Sequence, residues 1–347
     1  MMAAGGVVPG LPAWDLVTVV ALLMEASDAQ VSTKARETFR SLPQPILTGA
    51  LSHDLEPSVL VLLADAYATN ATVVEKLLRM PRIDAATLEI LAERADEKLG
   101  EIVATNEERL LANPTVIEKL YLNKRVRMST ADRILELAVR NGLTLSIPAF
   151  KEAAQAIQNE LVPEASEEPT YEDKIAKEID ELTEKLNLDP AVEDTHVVDE
   201  EGEEQVAEKV LPLHARLASM TISQKIRRAT LGTSAERLLL VRDTNRLVAA
   251  AAIDSPMTNE HDAMRISASR QVSEDVLRHI ALNREWTRQY QIKLNLVMNP
   301  RTPMSFTARL IPQLQDHDVR GLSKSKNVSS TVRQLCKQQM ARKEKKG

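Results

Sequence analysis

Three of the six histidines are followed directly by aspartate: His53-Asp54, His261-Asp262 and His317-Asp318. An imidazole beside a carboxylate is the pairing from which metal-dependent hydrolases are built. A helical enzyme of that kind needs a His, then a His-Asp pair, then a distant Asp, all converging on one ion. His214, His261-Asp262 and Asp316 occur in that order. Each of these aspartates also lies beside a turn between helices, where a carboxylate favours the positive end of the next helix. The turn reading is the stronger, because nothing in the spacing suggests convergence. The sequence contains no His-Glu-x-x-His, no phosphate-cradling glycine loop and no Gly-x-Ser-x-Gly. The expectation is therefore no catalytic residue, no cofactor and no metal.

Two further places could do chemistry. The only cysteine, Cys336, stands beside Lys337 in a helical stretch, so a lowered pKa is conceivable, although a buried, inert thiol is the favoured reading. One cysteine permits neither an intrachain disulfide nor a thiolate metal site, which fits a reducing, cytoplasmic setting. Trp286 and Tyr290 stand four residues apart with Arg284 and Arg288 beside them. On a helix they would form a platform on which bases stack; alternatively, Trp286 anchors a helix–helix contact.

Cations are the most distinctive polar feature. Lys225, Arg227, Arg228, Arg237, Arg242 and Arg246 fall close together and could line one surface, where they would attract phosphate backbones through counterion release. The net charge of −6 hides a sharp division along the chain. Residues 1–162 carry 16 Lys/Arg against 21 Asp/Glu, residues 163–209 carry 4 against 18, and residues 210–347 carry 24 against 11. A basic third next to an acidic tether invites attraction within the chain. A protein partner, or the chain's own acidic segment, is the favoured occupant of the basic surface, and nucleic acid is the alternative.

The elements that would position these residues are helices. Of the 347 residues 44% are hydrophobic but only 3% are aromatic, and there are just 10 glycines. Leu and Ala are strong helix formers, whereas strand-favouring aromatics and the glycines of tight turns are scarce. The class is all-α. Apolar residues at helical spacing, such as Val59, Leu62, Leu63 and Ala66, or Ile134, Leu135 and Ala138 after Ser129 as a cap, predict many short helices. Three regions follow: an N-terminal helical-repeat lobe at 1–162, an acidic and largely disordered linker at 163–209, and a basic helical lobe at 210–347 with a frayed tail. Within the linker, Ile175, Ile179, Leu182 and Leu186 form a stripe that predicts an amphipathic helix over about 171–188, able to dock on a lobe or a partner. Residues 1–10 carry no cation of the kind a secretory signal uses. Leu16–Met24 is shorter than the ~20 apolar residues of a membrane span. A soluble protein with no membrane partner is expected.

Short apolar runs are joined by elbows. The fullest is Asn299-Pro300-Arg301-Thr302-Pro303, with weaker forms at Ser255-Pro256-Met257-Thr258, Met80-Pro81-Arg82 and Asn113-Pro114-Thr115. Asn tolerates the left-handed conformation that ends a helix, Thr or Ser caps the next one, and Pro303 fits a first helical position. The run Leu294–Pro303, followed by Leu314-Gln315-Asp316-His317-Asp318-Val319-Arg320, resembles the leucine-rich repeat variant, with its alternating Asn-Pro-x-Thr-Pro and Asp-x-Asp-x-Val-Arg turns. Arg242–Val248 leading into Ser255–Thr258 is a degraded copy of the same order. The resemblance covers residues 240–335 well and 50–145 loosely, and HEAT-like repeats are the wider relatives. It implies an irregular α-solenoid in two lobes that acts as a protein-binding scaffold, or that binds DNA as some HEAT-like members do. It carries over no functional residues, because the shared positions are structural.

Overall fold

A computed structural model describes residues 1–158, 160–187, 194–199 and 202–344. Among them the chain is helical almost throughout, and one short antiparallel ribbon pairs β1 (His196–Val198) with β2 (Glu204–Val206). No helix is long and apolar enough to cross a membrane. Two compact units form. Unit 1 comprises Met1–Ile147 and Val162–Thr170, and unit 2 comprises Pro148–Leu161 and Tyr171–Gly347.

Both units are built from short helices in two rows. In unit 1 the Pro57–Tyr67 helix packs on Ala85–Arg94, which packs on Pro114–Leu122; Ala71–Leu78 packs on Glu97–Ala104, which packs on Met128–Arg140. Leu60, Leu63, Leu91, Ile117, Leu120 and Leu135 fill the space between, all fully buried. In unit 2 one row runs from Phe150–Ile157 through Ile222–Leu231 and Arg246–Ile253 to Glu274–Leu282. The other runs from Leu211–Ala218 through Ser234–Leu240 and Glu260–Ala268 to Tyr290–Met298. Helices of two to three turns are marginal alone; each is held by the row on either side.

Polar side chains tie each layer to the one before. In unit 1, Asn123 Nδ2 donates to the carbonyls of Ala92 and Ala95, at 3.0 and 2.8 Å. Arg125 donates to the Arg94 carbonyl at 3.0 Å. In unit 2, Asn299 Nδ2 donates to Ser267 O and Ser269 O, at 3.0 and 2.6 Å, and Arg301 donates to Gln271 O at 3.0 Å. In both places the Asn Oδ1 accepts the N–H of the Arg two residues on, at 3.0 Å. Each Asn thereby closes the carbonyl end of a helix one layer back. Similar bridges join Tyr67 to Phe39 O and Ser255 to Thr230 O, and across these contacts the sequence separation stays between 25 and 32.

These bridges correct the expected elbow chemistry. Asn299 is extended, with φ −75° and ψ 119°, not left-handed, because its side chain is engaged with the neighbouring layer. Pro303 stands at the N-cap of Met304–Leu310, one position earlier than expected. Thr302 caps nothing: its buried Oγ1 has no hydrogen-bond partner among the described residues. At the Ser255–Thr258 elbow the cap is Asn259, in a reciprocal box with Asp262. Ser129 lies inside its helix, whose N-cap is Arg127.

Candidate functional site

Unit 2 concentrates the polar chemistry at the start of its rows. Thr221 opens the Ile222–Leu231 helix with a capping box to Gln224, and Thr233 opens Ser234–Leu240 with a second box to Glu236. Between them Gly232 makes an elbow so close that the Glu236 side chain folds back over it. A methyl group at Gly232 would overlap both the Glu236 carboxylate and the Arg228 carbonyl oxygen. Gly232→Ala is therefore expected to cost about 1–3 kcal/mol, at the upper end because backbone must move. A urea titration of the purified variant measures it, and a midpoint unchanged from the unaltered chain would refute the contact.

The elbow places Arg228 and Glu236 side by side, with Nη1 to Oε1 at 3.7 Å. Glu236 is almost wholly buried. Burial pushes its carboxyl pKa up, against the pull of the Arg228 charge. Over this pair lies the Tyr171–Leu186 helix of the acidic segment, packed on Leu211–Ala218. Arg228 donates Nη1 to the Asp180 carboxylate and Nη2 to the Ala176 carbonyl at 2.6 Å. Arg216 pairs with Glu178 at 2.8 Å, and Thr183 donates to Glu236 at 3.2 Å. Ile175 and Ile179 face inward and are buried, whereas Leu182 and Leu186 are half-buried.

The ribbon is a second acidic attachment. Glu204 accepts from Ser269 Oγ at 2.6 Å and from the Arg270 N–H, and it pairs with Arg242 Nε at 3.4 Å. Arg242 is almost wholly buried there, with a further bond to Ser269 Oγ at 3.2 Å. Burial in this pocket, with the Arg242 charge next in weight and His214 adding to it, lowers the His196 pKa to about 4, against Glu204 and Asp194. The sign follows from linkage. The unfolded imidazole, with an ordinary pKa near ~6.5, binds protons that the folded one refuses. Stability is full above that pH and is lost as pH falls toward 4. An NMR titration of the His196 ring is expected to show no protonation at pH 5.5, and a midpoint near 6.5 would sink this account.

The six clustered cations do not share a surface. Arg227 is buried, and Arg237 is buried against Asp262 at 3.0 Å. Lys225 pairs with Asp243 at 3.0 Å with both side chains largely covered. Arg228 and Arg242 hold the acidic segment, and Arg246, paired with Asp275 at 2.7 Å, is 82% exposed. Arg284 and Arg288 are exposed. Trp286 and Tyr290 are not on one helical face. Trp286 opens a single 3-10 turn ending at Arg288, Gln289 is extended, and Tyr290 starts the next helix. Trp286 tilts against His279 at 5.9 Å, while Tyr290 donates to Asp318 and accepts from the Gln315 N–H.

The His-Asp dipeptides differ in their contacts. His53 stacks on Trp14 at 3.6 Å, Asp262 pairs with Arg237, and Asp318 faces both Tyr290 and its neighbour His317, with Nε2 to Oδ1 at 3.3 Å. Among the described residues no three His, Cys, Asp or Glu side chains are arranged to hold a metal. A different His–Asp contact, His279 Nδ1 to Asp254 Oδ1 at 2.8 Å, lines an open recess of about 460 Å³ together with Glu152, Arg246 and Asp275. Cys336 is buried, and burial raises its thiol pKa, the opposite of activation.

The acidic ribbon had no signal strong enough to find from sequence. Its strands are three residues each, and only the Gly202 turn, with φ 85°, marks it. Comparison with known proteins yielded no matching family model, no matching curated protein and no matching solved structure.

Proposed function

We propose that this chain is a non-enzymatic scaffold that binds protein partners on the surfaces of an irregular α-solenoid, of the leucine-rich repeat variant and HEAT-like kind that its Asn-Pro-x-Thr-Pro elbow implies. The observation that carries this reading is the layer-to-layer bridge. Asn123 with Arg125, and Asn299 with Arg301, make the same carbonyl clamp in the two units, each reaching back about one helix pair. Such a clamp fixes a stack of layers and supplies no reacting group. The carboxylates of two His-Asp pairs serve structural contacts with Arg237 and Tyr290, which also favours a non-enzyme. A cytoplasmic setting belongs to the same reading, in keeping with the lone buried thiol.

Protein is favoured over nucleic acid as the partner because the chain's own carboxylates hold the cations that would bind phosphate. Arg228, Arg237 and Arg242 each face a carboxylate, and all three are largely buried. The test is affinity capture with the full chain, followed by reconstitution from purified components. A binary complex of roughly micromolar affinity or better supports the scaffold. Failure of every captured protein to bind in purified form would overturn it, as would tight binding of duplex or single-stranded nucleic acid with a steep salt slope.

A further inference from the structure

We propose that the face formed by the Leu211–Ala218, Ile222–Leu231 and Ser234–Leu240 helices is a receptor for an acidic amphipathic helix of a partner, and that residues 171–186 occupy it as the chain's own competitor. The proposal rests on the scaffold reading and names the chemistry of its partner.

Charge complementarity identifies the occupant. The face presents Arg216 and Arg228, and what lies on it is the acidic helix. That helix buries Ile175 and Ile179 and meets the cations with Glu178 and Asp180. A partner helix would need the same order: apolar residues four apart, with carboxylates three and five positions after the first.

The resident helix is lightly held. Ile175, Ala176 and Ile179 are its only buried apolar residues among the described ones. Asp180 is 64% exposed, and both members of the Glu178–Arg216 pair are about half exposed. The exposed Glu178–Arg216 pair is of the weak kind that salt screens, whereas the Arg228 side of the other pair is largely covered. The Arg228 guanidinium gives one N–H to Asp180 and one to a backbone carbonyl, and its buried Nε has no hydrogen-bond partner among the described residues. A guanidinium fork takes both oxygens of a carboxylate. This one gives a single N–H to Asp180, with Glu236 as a second carboxylate at 3.7 Å.

The face is also braced from within its own rows. The capping boxes at Thr221 and Thr233, the Gly232 elbow and the buried Arg237–Asp262 pair set its geometry from within the rows. Displacing residues 171–186 would expose a formed surface.

The test uses the full chain and a fluorescein-labelled synthetic peptide of residues 169–187, read by fluorescence anisotropy. Two variants open the face without altering it: Ile175→Asp with Ile179→Asp, and Glu178→Lys with Asp180→Lys at solvent-facing positions. Either serves if the other fails to show a cooperative melt. Removing an internal competitor that is mostly bound is expected to tighten peptide binding by about ten- to hundredfold over the unaltered chain. Arg228→Gln in the opened background is expected to abolish most of that gain. Equal affinity for opened and unaltered chains, or indifference to Arg228→Gln, would overturn the proposal. So would a concentration-dependent dimer of the unaltered chain formed by exchange of this helix, since the occupant is then a second copy. Each of these three failures leaves the scaffold reading standing, because a captured partner seated elsewhere would still bind the unaltered chain.

Discussion

Asp262→Ala is expected to destabilise unit 2 by about 3–5 kcal/mol. The Asp262 side chain is 0% exposed and its partner Arg237 5% exposed, with Oδ2 to Nη2 at 3.0 Å. The same carboxylate accepts from Ser234 Oγ and from the Asn259 N–H in the capping box. Arg237 also holds the Gly232 carbonyl at 2.8 Å, so the pair joins the elbow of one layer to the helix start of the next. Removing the carboxylate leaves a guanidinium buried without its counter-charge, and that uncompensated charge is the main cost. For a unit of this size the loss lowers Tm by about 6–20 °C.

The control distinguishes a broken pair from a valuable one. Arg237→Met together with Asp262→Leu removes both charges, and is expected to cost less than Asp262→Ala, about 1–3 kcal/mol, because the uncompensated guanidinium is gone and what remains is the loss of the bonds to Ser234, the Asn259 N–H and the Gly232 carbonyl. The two tryptophans lie one in each unit, so Trp286 fluorescence in a Trp14→Phe background follows unit 2 alone. A cost for Asp262→Ala below about 1 kcal/mol would contradict the pairing as a structural tie.

Asn299→Ala is the second large effect, expected at about 2–4 kcal/mol from the same fluorescence readout. Asn299 is buried, and its loss strips a donor from two carbonyls, Ser267 O and Ser269 O, and an acceptor from the Arg301 N–H. Each buried group left unsatisfied costs about 1–3 kcal/mol, discounted where water can enter. Asn299→Asp separates the two roles. It keeps the acceptor for Arg301 but sets a carboxylate against two carbonyl oxygens, so it should be at least as damaging as alanine. The equivalent Asn123→Ala is expected to cost less, about 1–2 kcal/mol, because Asn123 is only half-buried and Arg125 also donates to the Arg94 carbonyl. An Asn299→Asp variant as stable as the unaltered chain would rule out the clamp.

The helical class was legible because it depends on composition and on apolar spacing within one turn. Val59 and Leu63 share a buried face for reasons contained in eleven residues, although Leu60 and Ala64 complete it where Leu62 and Ala66 were expected. Elbow positions were legible for the same reason, since Pro and the capping residues act on their immediate neighbours. What Asn299 does at its elbow was not legible. Its partners lie about thirty residues back, and a left-handed stop and a side-chain clamp look alike in sequence. The Trp286–Tyr290 platform failed at closer range. A single extended residue, Gln289, breaks the helix between them, and no Pro or Gly announces it.

The sequence by itself determined that the chain is helical, where its helices are punctuated, and that its charge is divided between an acidic stretch and a basic one. Tertiary structure alone decided the fate of each charge. Arg246 and Arg242 are four residues apart, yet one is 82% exposed and the other is buried against Glu204. Both meet a carboxylate from another element, at Asp275 and at Glu204, but only Arg242 is covered, with Ser269 Oγ as a further partner, and a cation that loses its water must be paired and hydrogen-bonded in this way. That covering is a property of how the elements stack, and no local spacing encodes it.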